Sequence, residues 1–181
     1  MVSIRDGNVQ SVAVDISIVA LLWVLLYQAN AWVFTLFEAT PFANWVFLPA
    51  ALRVVAVLLL GWRGVAGLFV GALFTNDPVW GVNGADALVL SAISALAPWL
   101  GVWVSMRLLQ IRLDLAGLSF GQLLQLSVIC ALTSVVAHHA YFVARDLLRP
   151  WSEGFVPMLA GDLIGTVLVL YLSAVLARRL A

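Results

Sequence analysis

The sequence predicts an all-α membrane protein: a polytopic, six-helix transmembrane bundle with both termini cytoplasmic. Three observations lead there. Of the 181 residues, 64% are hydrophobic and 10% charged, with a mean hydropathy of +1.09, whereas a soluble domain is nearer half apolar and a quarter charged. Six apolar stretches approach or reach the ~20 residues a helix needs to cross a bilayer core. The arginines between those stretches gather on alternate connections, as the positive-inside rule asks.

The first span, 16–37, follows Arg5 and Asp6. A signal peptide with its apolar core at 16–26 and a cleavage site at Ala29-Asn30-Ala31 is the competing reading. The apolar run continues through Trp32–Phe37, so the segment is read as a retained helix. Asp15 marks its start, where a carboxylate suits the helix dipole. The second span, 42–61, carries Arg53 in an otherwise apolar run. The third, 64–76, is short; it opens after Gly61-Trp62-Arg63-Gly64 and is expected to stop at Asn76-Asp77-Pro78, because proline cannot continue a helix. It either crosses or re-enters. Charge decides. With six spans, Arg5, Arg63, Arg107, Arg112, Arg178 and Arg179 share one side. Only Arg145 and Arg149 lie on the other, with Glu38, Asp77, Asp86, Asp146 and Glu153. Without the third crossing the connecting arginines would divide evenly.

The fourth span, 86–106, contains Pro98, which is expected to kink it. The fifth and sixth are 120–144 and 155–177. Trp45, Trp62, Trp80 and Trp151 fall near span ends, as an interfacial aromatic belt would place them. Gly67 and Gly71, and Gly161 and Gly165, form small-xxx-small pairs that permit close helix contact. The segment Asn76–Asp86 is a connector or a lid. No repeat or composition shift divides the chain, so residues 1–181 are read as a single integral membrane domain, and the ending Ala-Arg-Arg-Leu-Ala leaves no room for an output domain.

Ionisable groups inside spans are costly and face partners in the bundle interior. At ~1.5 Å per helical residue, Arg53 lies roughly 13 Å in from the outer side, Asp162 roughly 10 Å, His138 and Asn30 at similar depth. Ser134, His138, Tyr141 and Arg145 share one face of the fifth span; Asp162, Thr166 and Ser173 share one face of the sixth. His139 points about 100° from His138. Arg53 is therefore expected to pair with Asp162, since its guanidinium stays charged and its fork suits a carboxylate. One reading is a structural salt bridge that fixes helix arrangement. The other is an anion site, in which Arg53, His138, Asn30 and Tyr141 line an outward-opening pocket with Asp162.

Several function classes drop out. Net charge is zero, so no basic stripe points to nucleic acid. Cys130 is the single cysteine, which excludes an internal disulfide or a Cys-x-x-Cys pair. There is no His-Glu-x-x-His, no phosphate loop, no nucleophile–base pair and no metal motif, so no enzyme is read. Neighbouring histidines on one helix do not supply a bis-histidine haem, and the cofactor stays unknown. A proton relay through His138 and Asp162 is a further option.

Residues 48–76, Leu-Pro-Ala-Ala-Leu-Arg through Phe-Thr-Asn, resemble the early part of the membrane-associated sensor (MASE-type) domains of bacterial signalling proteins. The shared pattern is a proline with small residues, an apolar run, a Gly-aromatic-basic turn, paired glycines and a final asparagine. The closing Gly161–Leu176 resembles their last part. The resemblance implies a membrane sensing or binding fold whose output is a separate protein. The length and span number also resemble the substrate-binding subunits of energy-coupling-factor transporters, which implies an outward-facing pocket; Ala20, Ala29 and Ala31 do not reproduce that family's Ala-xxx-Ala contact.

The expected function is a non-enzymatic, multi-pass inner-membrane sensory or ligand-binding module. It would contact membrane lipid and act through another membrane protein or a second copy. A substrate-binding or permease subunit of a small-solute transporter is the first alternative, and a structural subunit of a larger membrane complex is the second.

Overall fold

A computed structural model describes residues 9–40, 43–80, 84–109, 120–146 and 152–180. The side chains of 77–80, 109, 120, 152–153 and 170–180 lie outside that description, as do the candidate lid at 81–83 and the expectations for the side chains of Trp80, Trp151 and Ser173. Six helices make up nearly all of it: α1 Val9–Val33, α2 Pro49–Leu60, α3 Trp62–Trp80, α4 Gly84–Leu109, α5 Phe120–Ala144 and α6 Ser152–Leu180. Among the described residues, α1, α4 and α5 are long and apolar enough to cross a membrane.

The helices α1, α3, α4, α5 and α6 pack in that order around the short α2, which touches all five. Asn76 Nδ2 donates to Ser91 Oγ (3.0 Å), and Arg145 Nε donates to Asp86 Oδ1 (2.9 Å). These contacts bring the ends of α3 and α5 to the start of α4. This is the hairpin end of the bundle. Large apolar side chains face outward, among them Leu21, Leu25, Phe74, Leu96, Trp103, Val136 and Val156. Asn30, Arg53, Asn76, Ser91, Ser94, Ser134, His138 and Asp162 are buried. A hydrocarbon solvent favours that distribution, polar groups inside and apolar groups out. Between them lies an apolar core of small and branched side chains, with Val19, Trp23, Val54, Leu68 and Leu126 at its centre.

Local chemistry accounts for the element ends, and corrects several expected from sequence. The first helix begins at Val9 and ends at Val33, where the expected span was 16–37. Its early turns carry Gln10, Ser11 and Asp15, which a span read from apolar residues alone omits. After it the chain makes a 3-10 turn, Thr35–Phe37, and a small antiparallel hairpin of β1 Glu38–Thr40 and β2 Ala43–Asn44. The all-α reading did not contain this hairpin.

The largest correction falls on the second span. Helix α2 covers only 12 residues, while 43–48, expected to be helical, runs as non-helical chain into the bundle. Pro49 explains where the helix starts: it has no N–H to lose and its fixed φ suits the first helical position. The preceding amides are satisfied elsewhere. Phe47 N–H donates to Gly161 O (3.0 Å) and Leu48 N–H to Asn30 Oδ1 (2.8 Å). Irregular backbone at depth is tolerated when it is buried in protein and paired in this way. Gly61, at φ +54°, then turns the chain into α3.

Helix α3 extends to Trp80, through Asp77 and Pro78, where a stop was expected. A proline in the last turn disturbs only the hydrogen bonds near the helix end. At 19 residues α3 is about 28 Å long. Pro98 lies within α4, and α5 supplies donors to the carbonyls beside it: Thr133 Oγ1 to Ala97 O (3.1 Å) and Cys130 Sγ to Pro98 O (3.7 Å). Helix α5 coincides with the expected span.

The two glycine pairs have different uses. A Cβ on Gly67 or Gly71 would lie 2.6 or 2.7 Å from the Cβ of Val19 or Trp23, so that pair lets α3 approach α1. Gly161 and Gly165 face the non-helical chain of 43–48 instead, where an added Cβ would overlap Asn44 O or Phe47 O. Asp15 is not a simple helix-start carboxylate; it accepts from Arg63 Nη1 at 2.7 Å and ties α1 to α3 at the other end of the bundle.

Candidate functional site

Four helices bring the site to one level. Trp23, Ser94, Ser134 and Asp162 each lie ten residues from the hairpin-end terminus of their own helix, about 15 Å down at 1.5 Å per residue. Arg53 joins them from only the second turn of α2, because α2 itself begins deep. Asp162 lies deeper than the sequence implied, because α6 begins at Ser152 and not near 155; His138, six residues from the end of α5, keeps its expected depth, and Asn30, three residues from the end of α1 at Val33, lies shallower than expected.

Arg53 is 5% exposed and Asp162 3%. Their pairing is observed, but its geometry is loose. Arg53 Nη1 reaches Asp162 Oδ2 at 3.2 Å and Oδ1 at 3.4 Å, and donates to Ser134 Oγ at 2.9 Å. A strong guanidinium–carboxylate fork uses two nitrogens at about 2.7–2.9 Å; here one nitrogen serves three acceptors. Nε is buried without a partner. The guanidinium carbon lies 5.3 Å from the ring centroid of Trp23 and 5.0 Å from that of Phe47, within the range of a cation–π contact. Ser134 and the two rings therefore hold Arg53 independently of Asp162.

His138 is fixed by neutral groups. Its Nδ1 lies 2.8 Å from Ser134 O and its Nε2 3.2 Å from Ser94 Oγ. A carbonyl only accepts, so Nδ1 carries the hydrogen, and Nε2 accepts from the Ser94 hydroxyl in the neutral ring. Asn30 is 2% exposed, and its Oδ1 accepts from Leu48 N–H at the head of α2.

A cavity of about 360 Å³ joins these groups. Its floor carries Trp23, Arg53, Asn76, Ser94, His138 and Asp162; its walls carry Tyr27, Phe34, Phe47 and Phe142; exposed Gln28, Thr35 and Glu38 stand at the mouth, beside the hairpin. A much smaller void of about 10 Å³ lies on the far side of the ion pair, lined by Arg53, Asp162, Ser127, Cys130 and Thr166 among others. The ion pair thus separates an open cavity from a space for a single water.

Of the site residues expected from sequence, Arg53, Asp162, His138 and Asn30 meet around the cavity. Tyr141 does not. Its hydroxyl donates to Asp86 Oδ1, which also accepts from Arg145 Nε at 2.9 Å. The stripe Ser134–His138–Tyr141–Arg145 rises along α5 past two neighbours: its deep half meets Arg53 and Ser94, and its upper half meets the start of α4. His139 is apart as well. Its ring stands between Phe142 and Phe155, at 5.7 and 5.3 Å, with Nδ1 near Val135 O (3.1 Å) and Nε2 unpartnered.

Trp23, Phe47, Ser94 and Asn76 were missed. Trp23 had a signal, a mid-span tryptophan far from either interface. Phe47 had none, since its place depends on the helix not forming. Among the described residues no three His, Cys, Asp or Glu side chains gather as a metal site requires. No protein-family model matches the sequence, and neither a characterised protein nor a solved structure matches the chain.

Proposed function

We propose that this chain is a non-enzymatic integral membrane ligand-binding protein, whose cavity takes a small organic anion from the exoplasmic side and holds its acidic group on Arg53. One observation carries the reading: a cavity of about 360 Å³ ends on a buried guanidinium that is steadied by Ser134, Trp23 and Phe47 and not by Asp162 alone. Cavities of this size, mostly apolar with a few convergent polar groups, are the usual form of small-molecule sites. The aromatic walls suit an apolar body; the floor suits a carboxylate.

Six crossings with both termini cytoplasmic are part of the proposal. Arg63 and Arg107 would mark the cytoplasmic end: by sequence six arginines fall on their side and two, Arg145 and Arg149, on the hairpin side, a bias the positive-inside rule reads as cytoplasmic against outer. The occupied site would signal to, or hand over to, a separate membrane protein.

A transport role is the second reading, and the broken second span favours it. Transporters place substrate at interrupted helices near the midplane, with half-helix N-termini beside it. Helix α2 has that form, starting at Pro49 one turn above Arg53.

The test is thermal unfolding of the purified protein with phenylacetate, hexanoate and matched uncharged amides. Stabilisation by the acids alone, lost in Arg53→Gln, is the expected result. Equal effects of acids and amides, or no effect of either, would overturn the reading.

A further inference from the structure

We propose that an anion bound at Arg53 displaces Asp162 and that Asp162 then takes up a proton, so the cavity accepts a monocarboxylate and a proton together. This rests on the binding reading above and adds the coupling.

The two members of the pair are held unequally. Asp162 has one hydrogen-bond partner for its carboxylate among the described residues, Arg53 Nη1, at 3.2 and 3.4 Å. Arg53 has others, Ser134 Oγ at 2.9 Å and the faces of Trp23 and Phe47. Removing Asp162 from the guanidinium thus leaves Arg53 in place, whereas the carboxylate loses its only partner. An incoming carboxylate competes for the same cation from the open cavity, which both residues line.

Charge balance selects the group that is protonated. Arg53 and Asp162 neutralise each other in the empty site. A monoanion leaves the floor at one negative charge, whether it replaces Asp162 or shares Arg53 with it. A buried uncompensated charge costs several kcal/mol, and arginine cannot absorb the difference by losing or gaining a proton. The groups facing Asp162 from each neighbouring element narrow the choice. The first helix offers Trp23 and, higher up, Tyr27; the hairpin offers exposed Glu38 at the mouth; α3 and α4 offer uncharged Asn76 and Ser94. From α5 come His138 and Cys130. His138 has both ring nitrogens engaged; a second ring proton would require the Ser94 hydroxyl to reverse and would set a second cation one serine away from Arg53. Cys130 is a donor to Pro98 O. Asp162, newly unpartnered, is the group left to be neutralised.

Bonds and charges balance in the exchange. The Arg53–Asp162 hydrogen bonds break, and bonds from Arg53 to the ligand carboxylate form. One proton, delivered by solvent acid through the open cavity, bonds to an Asp162 oxygen. The small void beyond the pair has room for about one water.

Isothermal titration of the full-length protein in lipid nanodiscs tests this. Phenylacetate and benzenesulfonate are titrated at pH 7.5 in buffers of different ionisation enthalpy; the slope of heat against that enthalpy counts protons. About one proton taken up per anion is expected for both probes, with affinity falling about tenfold per pH unit on the alkaline side. The sulfonate cannot carry the proton itself, so uptake with it places the proton on the protein. In Asp162→Asn the anions should bind at least as tightly, without uptake and without that pH dependence. Binding without proton uptake by the wild type would overturn the coupling and leave the binding reading standing. Uptake unchanged in Asp162→Asn would overturn the role of Asp162. Failure of both probes to bind would remove the binding reading itself. Should Asp162→Asn fail to fold, the two wild-type titrations still decide the coupling.

Discussion

Arg53 Nη1 alone holds both carboxylate oxygens of Asp162, at 3.2 and 3.4 Å, inside a bundle where both residues are at most 5% exposed. Truncating one member of a buried pair strands the other, at a cost of about 3–5 kcal/mol, while replacing both is far milder. Arg53→Ala and Asp162→Ala should each unfold the protein at clearly lower temperature. The double variant should recover much of the loss, giving a coupling of about 1–3 kcal/mol in a double-mutant cycle. Additive single effects, measured by unfolding in mild detergent, would show that the pair is not an energetic unit.

Burial, not charge chemistry, sets that size. Arg63 and Asp15 form a closer contact, 2.7 Å, but their side chains are 15% and 27% exposed. Exposed pairs contribute about 1 kcal/mol or less, and this part-buried pair lies between those and a fully buried one. Asp15→Asn should therefore shift the same unfolding transition clearly less than Asp162→Ala does. An effect as large as that of Asp162→Ala would mean that the α1–α3 contact carries more of the fold than its exposure implies.

The non-helical chain from β2 to α2 is seated on two glycines. A Cβ at Gly161 or Gly165 would collide with a backbone oxygen of Asn44 or Phe47. Backbone cannot yield as a side-chain tip does, so Gly165→Ala should cost about 1–3 kcal/mol or more by overpacking. It should also displace Phe47 from Arg53 and weaken anion-dependent stabilisation. Gly84→Ala is the control, because nothing lies within 4 Å of the added methyl. Equal behaviour of the two variants would contradict the seating of the chain on α6.

Asn30 serves the same segment from α1. Its Oδ1 accepts Leu48 N–H at 2.8 Å. Asn30→Ala leaves that amide unpaired and should cost about 1–3 kcal/mol. Asn30→Asp keeps an acceptor at the position, so the Leu48 amide should exchange hydrogen more slowly in it than in Asn30→Ala. Rapid exchange at Leu48 in both variants would show that the acceptor is not what protects it.

Much of the fold and half of the site are legible in the residues themselves. The composition alone calls for a membrane solvent, and helix α5 lies where the apolar run placed it. The pairing of Arg53 with Asp162, 109 positions apart in the chain, followed from counting depth from the span ends, because charges in an apolar setting must find each other. Tyr141 was assigned to the same pocket because helical periodicity reports a face and not the neighbour that face meets. One stripe on α5 meets Arg53 of α2 and Ser94 of α4 below, and Asp86 at the start of α4 above.

Composition and periodicity thus point to an apolar surrounding, most of the helices and the obligation of a few buried charges to pair. The packed bundle settles the remainder: the helix of the expected second span starts only at Pro49, 43–48 runs as non-helical chain past Gly161 and Gly165, and Trp23 and Phe47 flank the guanidinium. Those outcomes depend on backbone amides finding acceptors on other helices, Gly161 O and Asn30 Oδ1. A local pattern of apolar residues holds no information about acceptors contributed from so far along the chain, and the cavity exists because they were found.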